Sequence, residues 1–448
     1  MDIQELIKNR QEFVDAQIKN GFDLTTVLVD LYSDISHFVY EILQNAEDAY
    51  ASEIIFNLFD DKLVIEHNGV PFTPSDIDAI SSISNIKNLK KTNPDSIGKF
   101  GIGFKSVYNI TESPRIQSGK YDFEVRNLVL PCNFCDNNDF NSTIITLAFN
   151  TETLSKEETF EIIKNKFQTF ETYNMLFLTN LKSIVFKWES ETKYYYKKEK
   201  LISGDIAVYD TTISNGVNEN QYLVFKSEIK NEKFEKLKNK LRIAIAFKYT
   251  KSQGVFEIVK PDSSCLFAFF ETNYETFLNF LVQAPFTTTP ARDNIDFKLP
   301  VNIALLDEVC DLIRLVLEYF KQKKLITINL LENLPINSQI GTWKTVYWKL
   351  FNTVKEEFLD GKKYFPVNDG KLYVSASSVG LIRGKELKQI LASKKDLQML
   401  FGIEYWLDAN ITADKTPELR TYLMKILNVK EYDSEDFARH AIYNLFEK

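Results

Sequence analysis

The chain has 448 residues, which is enough for two or three domains. Its 44% hydrophobic and 26% charged residues are typical of globular proteins with buried cores. A formal net charge of -8 argues against direct nucleic-acid binding, which needs clustered Lys and Arg. The sequence has no apolar run of about 18 residues that could span a membrane, and its first residues lack a signal-peptide core. We therefore expect a cytoplasmic protein.

The first elements along the chain mix helix and strand. Residues 27–50 carry apolar residues at helical spacing and predict one long helix. Two strand-like runs follow, separated by a pair of aspartates that suit a turn. Residues 73–80 predict a short helix that Thr73 or Ser75 can cap. The polar, lysine-rich residues 81–97 predict a mobile loop.

The next segment begins glycine-rich and turns helical, at residues 97–110. Three strand-like runs come after it, at 112–119, 121–130 and 142–149. A helix from about 155 to 172 closes this domain, which we place at residues 1–176.

Two further regions follow. Residues 177–325 are rich in strand-like runs and end in a long helix, which predicts a second α/β domain. Residues 326–448 mix helices with a short strand region. The fold class is therefore predicted to be α/β, of the mixed α+β kind.

The motif EILQNAED lies in the predicted long helix. Glu41, Asn45 and Asp48 are spaced so that they share one helix face. An amide oxygen can ligate Mg²⁺, and a carboxylate can accept a proton from an attacking water. A solvated polar helix face gives the same pattern, so the motif alone leaves both readings open.

Glycines mark two more motifs. In HNGVPF, Gly69 follows a strand and lets the backbone turn or approach a ligand closely. In IGKFGIGFKS, Gly98, Gly101 and Gly103 precede a helical run whose first backbone amides can bind phosphate. The spacing fits neither a P-loop nor the dinucleotide fingerprint. An ordinary turn and a ligand-free helix entrance are the alternatives.

Metal binding is not indicated by the remaining candidate ligands. Cys132 and Cys135 form a single CxxC, whereas a structural zinc site usually takes four ligands. We expect a loop there with buried or free thiols. His37, His67 and His440 are too scattered to predict a metal cluster.

The order and spacing of these motifs resemble the GHKL ATPase superfamily of gyrase B, heat-shock protein 90, histidine kinases and MutL. More narrowly, ILQNAEDA, HNGVPF, IGKFGIGFKSVYNIT and APFTTTPARDNI look like the heat-shock-protein-90-like ATPase regions of sacsin and related bacterial proteins. The resemblance covers essentially the whole first domain. It implies a Bergerat-type two-layer sandwich of helices on a mixed sheet, then an α/β middle domain and a largely helical C-terminal region.

The resemblance also implies roles for particular residues. Glu41 would be the general base and Asn45 the Mg²⁺ ligand, while residues 81–97 would form the ATP lid. Arg292 would reach the γ-phosphate, with an inter-domain or surface ion pair as the alternative. The other implied nucleotide contacts are Asp48, His67, Asn68, Gly69, Gly98, Lys99, Phe100, Gly101, Ile102, Gly103, Phe104, Lys105 and Thr143.

One position departs from the family pattern. The usual DxGxG motif has an aspartate that accepts the adenine amino group, but His67 stands there and Pro71 replaces the second glycine. Neutral His67 or the Asn68 oxygen could still accept that hydrogen bond. A purely structural His67 is the alternative, so base selectivity stays open.

The function implied is slow, Mg-dependent ATP hydrolysis in which lid and domain closure does chaperone-like or assembly-remodelling work. ATP, ADP, Mg²⁺ and a protein partner or client follow from the resemblance, which also allows a homodimer. A nucleotide-sensing scaffold with little hydrolysis and the ATPase module of a DNA-processing or phage-defence system are the alternatives. The retained Glu41 favours hydrolysis, and the acidic balance disfavours DNA processing.

Overall fold

The computed structural model describes residues 2–21, 34–82, 103–204, 206–230, 242–252, 254–288, 294–367, 370–383, 388–389, 391 and 393–446. Its α-helices are α1 Ile3–Lys19, α2 Phe38–Asp48, α3 Pro74–Ile80, α4 Lys156–Gln168, α5 Pro300–Gln322, α6 Ile328–Glu332, α7 Thr345–Leu359, α8 Lys394–Phe401, α9 Pro417–Lys425 and α10 Ser434–Phe446. Short 3₁₀ helices span Ile35–His37, Gly103–Asn109, Thr172–Met175 and Ala376–Ser378.

The strands fall into two lists. Those of the first half are β1 Glu53–Phe59, β2 Lys62–His67, β3 Arg115–Gly119, β4 Tyr121–Arg126, β5 Leu130–Cys135, β6 Phe140–Ala148, β7 Ser183–Trp188, β8 Glu191–Ser203, β9 Ala207–Ser214 and β10 Glu219–Glu228. Those of the second half are β11 Arg242–Ser252, β12 Val255–Ile258, β13 Cys265–Ala268, β14 Phe270–Glu275, β15 Leu281–Gln283, β16 Phe365–Val367, β17 Leu372–Val374, β18 Val379–Ile382, β19 Tyr405–Trp406 and β20 Glu431–Tyr432.

One large mixed sheet runs through most of the described chain. Its order is β14-β13-β15-β11-β10-β9-β8-β7-β1-β2-β6-β3-β4-β5, and β12 pairs with β11. Most neighbours are antiparallel, but β1 pairs with β7 and β13 with β15 in parallel. A mixed sheet covered by helices confirms the predicted α/β fold class. The boundary predicted at residue 176 separates β1 from β7 in sequence, although the two strands are hydrogen-bonded neighbours.

The first core lies between this sheet and α4. Strand β1 alternates, so Phe56 faces inward while its sequence neighbours are only half-buried. From α4, the Phe167 ring stacks on Phe186 of β7 at a centroid distance of 4.4 Å and contacts Phe56 at 5.8 Å. These rings fix α4 across the parallel strand pair.

The second core lies on the other side of the sheet, under α5. The rings of Phe225 on β10 and Phe247 on β11 contact Phe320 of α5, at 5.4 Å and 5.3 Å. Strand β10 serves both cores, because Val224 belongs to the first and Phe225 to the second. Burial on both faces explains why the run YLVF is apolar without alternation.

Within the described part of the predicted helix over 27–50, the α-helix spans Phe38–Asp48. Asp34 has an extended backbone (φ -103°, ψ 107°), and its carboxylate accepts a hydrogen bond from the Ser36 N–H at 2.9 Å. A short 3₁₀ turn and then α2 follow, so the helix does not run through this point. Residues 22–33 lie outside the described part of the chain.

Other local predictions can be compared directly. Thr73 is the N-cap of α3, and the Asp76 carboxylate accepts from its N–H at 2.7 Å, as in a capping box. Helix α4 begins after Ser155, close to the predicted start. The predicted cysteine loop is wrong, because Cys132 and Cys135 lie on β5, where both thiols are free.

Candidate functional site

The site is organised by α2, a helix that is buried around most of its circumference. Glu41 is buried, whereas Asn45 and Asp48 are half-buried. The three side chains share one helix face, as their spacing predicted. We call this face the polar stripe; among the other residues of α2, Gln44 and Glu47 are also polar, and both are buried.

Gly103 meets this stripe at Glu41. A Cβ atom added at Gly103 would lie 1.8 Å from Glu41 Oε2, so only glycine fits there while the carboxylate keeps its position. On the other side, Glu41 Oε1 lies 3.5 Å from His37 Nε2. The motifs EILQNAED and IGKFGIGFKS, which lie far apart in the sequence, therefore meet at the Glu41 carboxylate.

A second polar group lies where β2 ends. His67 is paired with Thr143 in the register of β2 and β6. The Thr143 and Ser118 hydroxyls are hydrogen-bonded at 2.6 Å, and Ser118 Oγ accepts from the Phe72 N–H at 2.9 Å. All three side chains are buried. Ser118 was missed in the sequence because its place depends on the register of β3 with β6.

The His67 imidazole is neutral in this environment. Burial lowers its pKa from 6.5 to about 4. Its Nδ1 accepts a hydrogen bond from the Gly69 N–H at 3.2 Å, which assigns the remaining ring proton to Nε2. The acceptor nitrogen of His67 therefore binds the Gly69 N–H within the turn. The other ring nitrogen, Nε2, carries a proton that it can donate.

Asn68 and Gly69 hold the turn against neighbouring backbone. Asn68 Oδ1 accepts from the N–H groups of Ser52 and Glu53 at 2.9 Å and 3.0 Å. A Cβ at Gly69 would lie 2.6 Å from the Ala49 carbonyl oxygen. These contacts give both residues a role in the local structure, and their contact with a base stays a prediction.

Lys105 and Phe104 follow Gly103 on its 3₁₀ helix, and both are buried. Lys105 Nζ donates to the Ile80 carbonyl at 2.5 Å and to the Leu128 carbonyl. Burial, with Arg10 nearby, lowers the pKa of Lys105 to about 7. Its ammonium is bound to backbone here, and its predicted phosphate contact stays a prediction.

Several predicted site residues lie outside the described residues. They are Gly98, Lys99, Phe100, Gly101, Ile102, Arg292 and all of the predicted lid except Ser81 and Ser82.

Glu47 was missed in the sequence, and it fixes the other side of α2. Its Oε1 accepts from the N–H groups of Thr179 and Asn180 at 2.6 Å and 2.8 Å, and its Oε2 from Leu181 N–H at 2.9 Å. This buried carboxylate thereby ties α2 to the segment that leads into β7. We call this segment, residues 176–182, the junction loop.

A charged cluster adjoins the junction loop. Lys197 is fully buried and donates to the Leu178 carbonyl. The Glu199 carboxylate lies 3.4 Å from its ammonium, 2.8 Å from that of Lys226 and 2.9 Å from that of Lys182. Burial alone would raise the pKa of Glu199, but the first two lysines lower it to about 2, while burial lowers the pKa of Lys197 to about 7. We call these four side chains the lysine cluster.

The described residues contain no group of three or more His, Cys, Asp or Glu side chains arranged to hold a metal ion. None of the described helices combines the length and the apolar character that a membrane span requires.

Residues 23–130 match the family model of the Sacsin domain. This match contains the α2 stripe, the His67 turn and Ser118, and it ends before β6. Protein NO VEIN of Arabidopsis thaliana is 27% identical over 321 residues, covering 64% of this chain and 11% of that protein. Sacsin of Homo sapiens is 36% identical over 109 residues, covering 20% of this chain and 2% of that protein. These matches support a sacsin-like relationship for the chain, which spans a small fraction of both relatives.

One solved structure is also similar. It is the crystal structure of the N-terminal domain of a DNA repair protein, at 15% identity and a TM-score of 0.39, covering 68% of this chain and 99% of that chain.

Proposed function

We propose that this chain binds ATP between the polar stripe of α2 and the His67 turn, and that it hydrolyses ATP slowly. The observation that carries the proposal is the contact of Gly103 with Glu41, since it brings the end of the glycine-rich segment to the stripe. Backbone amides of such a segment are suited to bind phosphate. The resemblance to GHKL ATPases supports the same assignment.

The groups around His67 fit an adenine base. His67 Nε2–H offers a donor, and the adjacent hydroxyls of Thr143 and Ser118 can each donate or accept. Adenine presents both donors and acceptors along its edge, so a buried set of this kind can discriminate among bases.

The polar stripe fits a magnesium-bound triphosphate. Asn45 is half-buried between two carboxylate-bearing turns and would hold Mg²⁺ through its amide oxygen, with phosphate and water as the other ligands. Bound there, the ion would neutralise phosphate charge. Glu41 is the base that would take a proton from water at its carboxylate.

We further propose that binding moves the second half of the protein and thereby drives chaperone-like or remodelling work on a partner protein. The support is mechanical, because Glu47 ties the nucleotide-binding helix to the junction loop and so to β7. A displacement of α2 would therefore be transmitted directly to the shared sheet.

The test is ATP turnover by the purified chain with Mg²⁺, compared with Glu41→Gln. Removing a general base should lower turnover by roughly 10²–10⁴ while ATP binding persists. Glu161→Gln is the matched control, because the Glu161 side chain is 68% exposed on α4 and should leave turnover unchanged. Absence of ATP binding by the wild type would refute the proposal, and equal turnover by Glu41→Gln would refute the role of Glu41.

A further inference from the structure

Gln44 of α2 is a buried polar residue with an unpaired amide. The residue is 1% exposed, and among the described residues neither its Nε2 nor its Oε1 has a hydrogen-bond partner. Buried polar groups in folded proteins are nearly always paired, because an unpaired one loses its bonds to water without replacement. An orphaned amide of this kind indicates a missing partner.

The position of Gln44 indicates where that partner binds. It follows Glu41 by three residues and precedes Asp48 by four, so it lies next to the polar stripe. Burial on this helix does not by itself leave polar groups unpaired, since Glu47 is equally buried and accepts three backbone hydrogen bonds. Gln44 is three residues from Glu47 as well as from Glu41, so it lies at the boundary between the stripe and the side of α2 that Glu47 anchors.

The chemistry of the stripe selects the kind of ligand atom. When ionised, Glu41 and Asp48 can only accept hydrogen bonds, and the oxygens of a polyphosphate can also only accept. The Gln44 amide adds N–H donors to this face. We propose that Gln44 binds an anionic phosphate oxygen of the nucleotide through Nε2, an inference that rests on the proposed function.

Gln44→Met tests this directly, because methionine has similar length and good helix propensity but no polar amide. Without ligand, this variant should unfold at a temperature equal to or above that of the wild type, since an orphaned polar group is removed. Its affinity for ADP should fall about tenfold or more, as expected for a lost hydrogen bond to a charged group. Its affinity for adenosine should not change. Gln44→Glu places a charge against phosphate and should lower ADP affinity further.

The matched control is Tyr222→Phe, which removes a buried hydroxyl that also lacks a hydrogen-bond partner within the described part of the chain. Because Tyr222 lies on β10 and not on α2, this variant should gain stability and keep its ADP affinity. If the wild type binds ADP and Gln44→Met binds it with the same affinity, the phosphate contact of Gln44 is overturned. The proposed function would still stand. A lower unfolding temperature of ligand-free Gln44→Met would show a structural partner and also overturn the phosphate contact. Failure of the wild type to bind ADP or ATP would refute the proposed function, and with it this contact.

Discussion

The two sides of α2 differ in how completely their polar groups are paired. On the junction side, Glu47 accepts three backbone hydrogen bonds, and the lysine cluster surrounds Glu199 with opposite charge. Next to the stripe, the buried Gln44 amide has no hydrogen-bond partner among the described residues. Burial on the junction side goes with paired charges, whereas the unpaired amide next to the stripe fits the ligand contact proposed above.

The largest expected effect lies on the junction side. Glu199→Ala should lower the free energy of unfolding by about 3–5 kcal/mol, because Lys197 and Lys226 would stay buried without their shared counter-charge. Urea denaturation measures this loss. Glu191→Ala, at an exposed position on the same strand, should change stability by no more than about 0.5 kcal/mol.

A double variant tests the cause of the stability loss in Glu199→Ala. If unpaired lysine charge causes the loss, Lys197→Met should recover part of the stability of Glu199→Ala. A loss below about 1 kcal/mol in Glu199→Ala would contradict the view that this cluster is structural.

His67 should make stability depend on pH. Unfolded chains bind a proton at this histidine below its ordinary pKa of 6.5, whereas the folded protein does so only near 4. The contribution of a neutral His67 to stability is therefore fully present above pH 6.5 and is lost as the pH falls toward 4. A pKa lowered from 6.5 to about 4 corresponds to about 3 kcal/mol.

His67→Asn should remove this component, because asparagine can keep an acceptor for the Gly69 N–H but does not titrate there. The measurement is the free energy of unfolding at several pH values between 7 and 4 for both proteins. Parallel curves for wild type and variant would show that His67 does not stay neutral when folded.

The smallest expected difference in stability is between the alanine variants of two glycines. They separate a role in local structure from a role at the proposed site. Gly69→Ala brings a Cβ to 2.6 Å from the Ala49 carbonyl, which is backbone, so overpacking should cost about 1–3 kcal/mol. The nearest atoms to a Cβ at Gly103 belong instead to the Glu41 side chain, whose carboxylate end can move. Gly103→Ala should cost less than about 1 kcal/mol but displace Glu41 and lower ATP turnover. Normal turnover in Gly103→Ala would separate this contact from catalysis.

Local signals in the sequence predicted much of this arrangement. The helical spacing put Glu41, Asn45 and Asp48 on one face, and the N-cap at Thr73 followed from its chemistry. These features depend on residues within one or two turns of each other. That is the range over which a pattern in one sequence is informative.

The other features of the site depend on contacts between residues that are far apart in the sequence. Ser118 joins Thr143 only through the register of β3 with β6, and Glu47 finds its donors more than 130 residues away. Lys197 lies in the run YYYKKEK, which resembles a solvated strand. Strand alternation puts Lys197 on the same face as the buried Tyr195, and the partners of that face come from other strands.

The parallel pairing of β1 with β7 has a consequence for any attempt to isolate the first predicted domain. A fragment that ends at residue 176 would leave one edge of β1 with unpaired backbone N–H and C=O groups. That edge adjoins Phe56 and Ile54, and an exposed apolar edge is a template for pairing with other chains. The same fragment would also leave Glu47 buried without the amides of the junction loop. Aggregation of such a fragment would therefore reflect a missing strand, while the rest of its sequence could still be competent to fold.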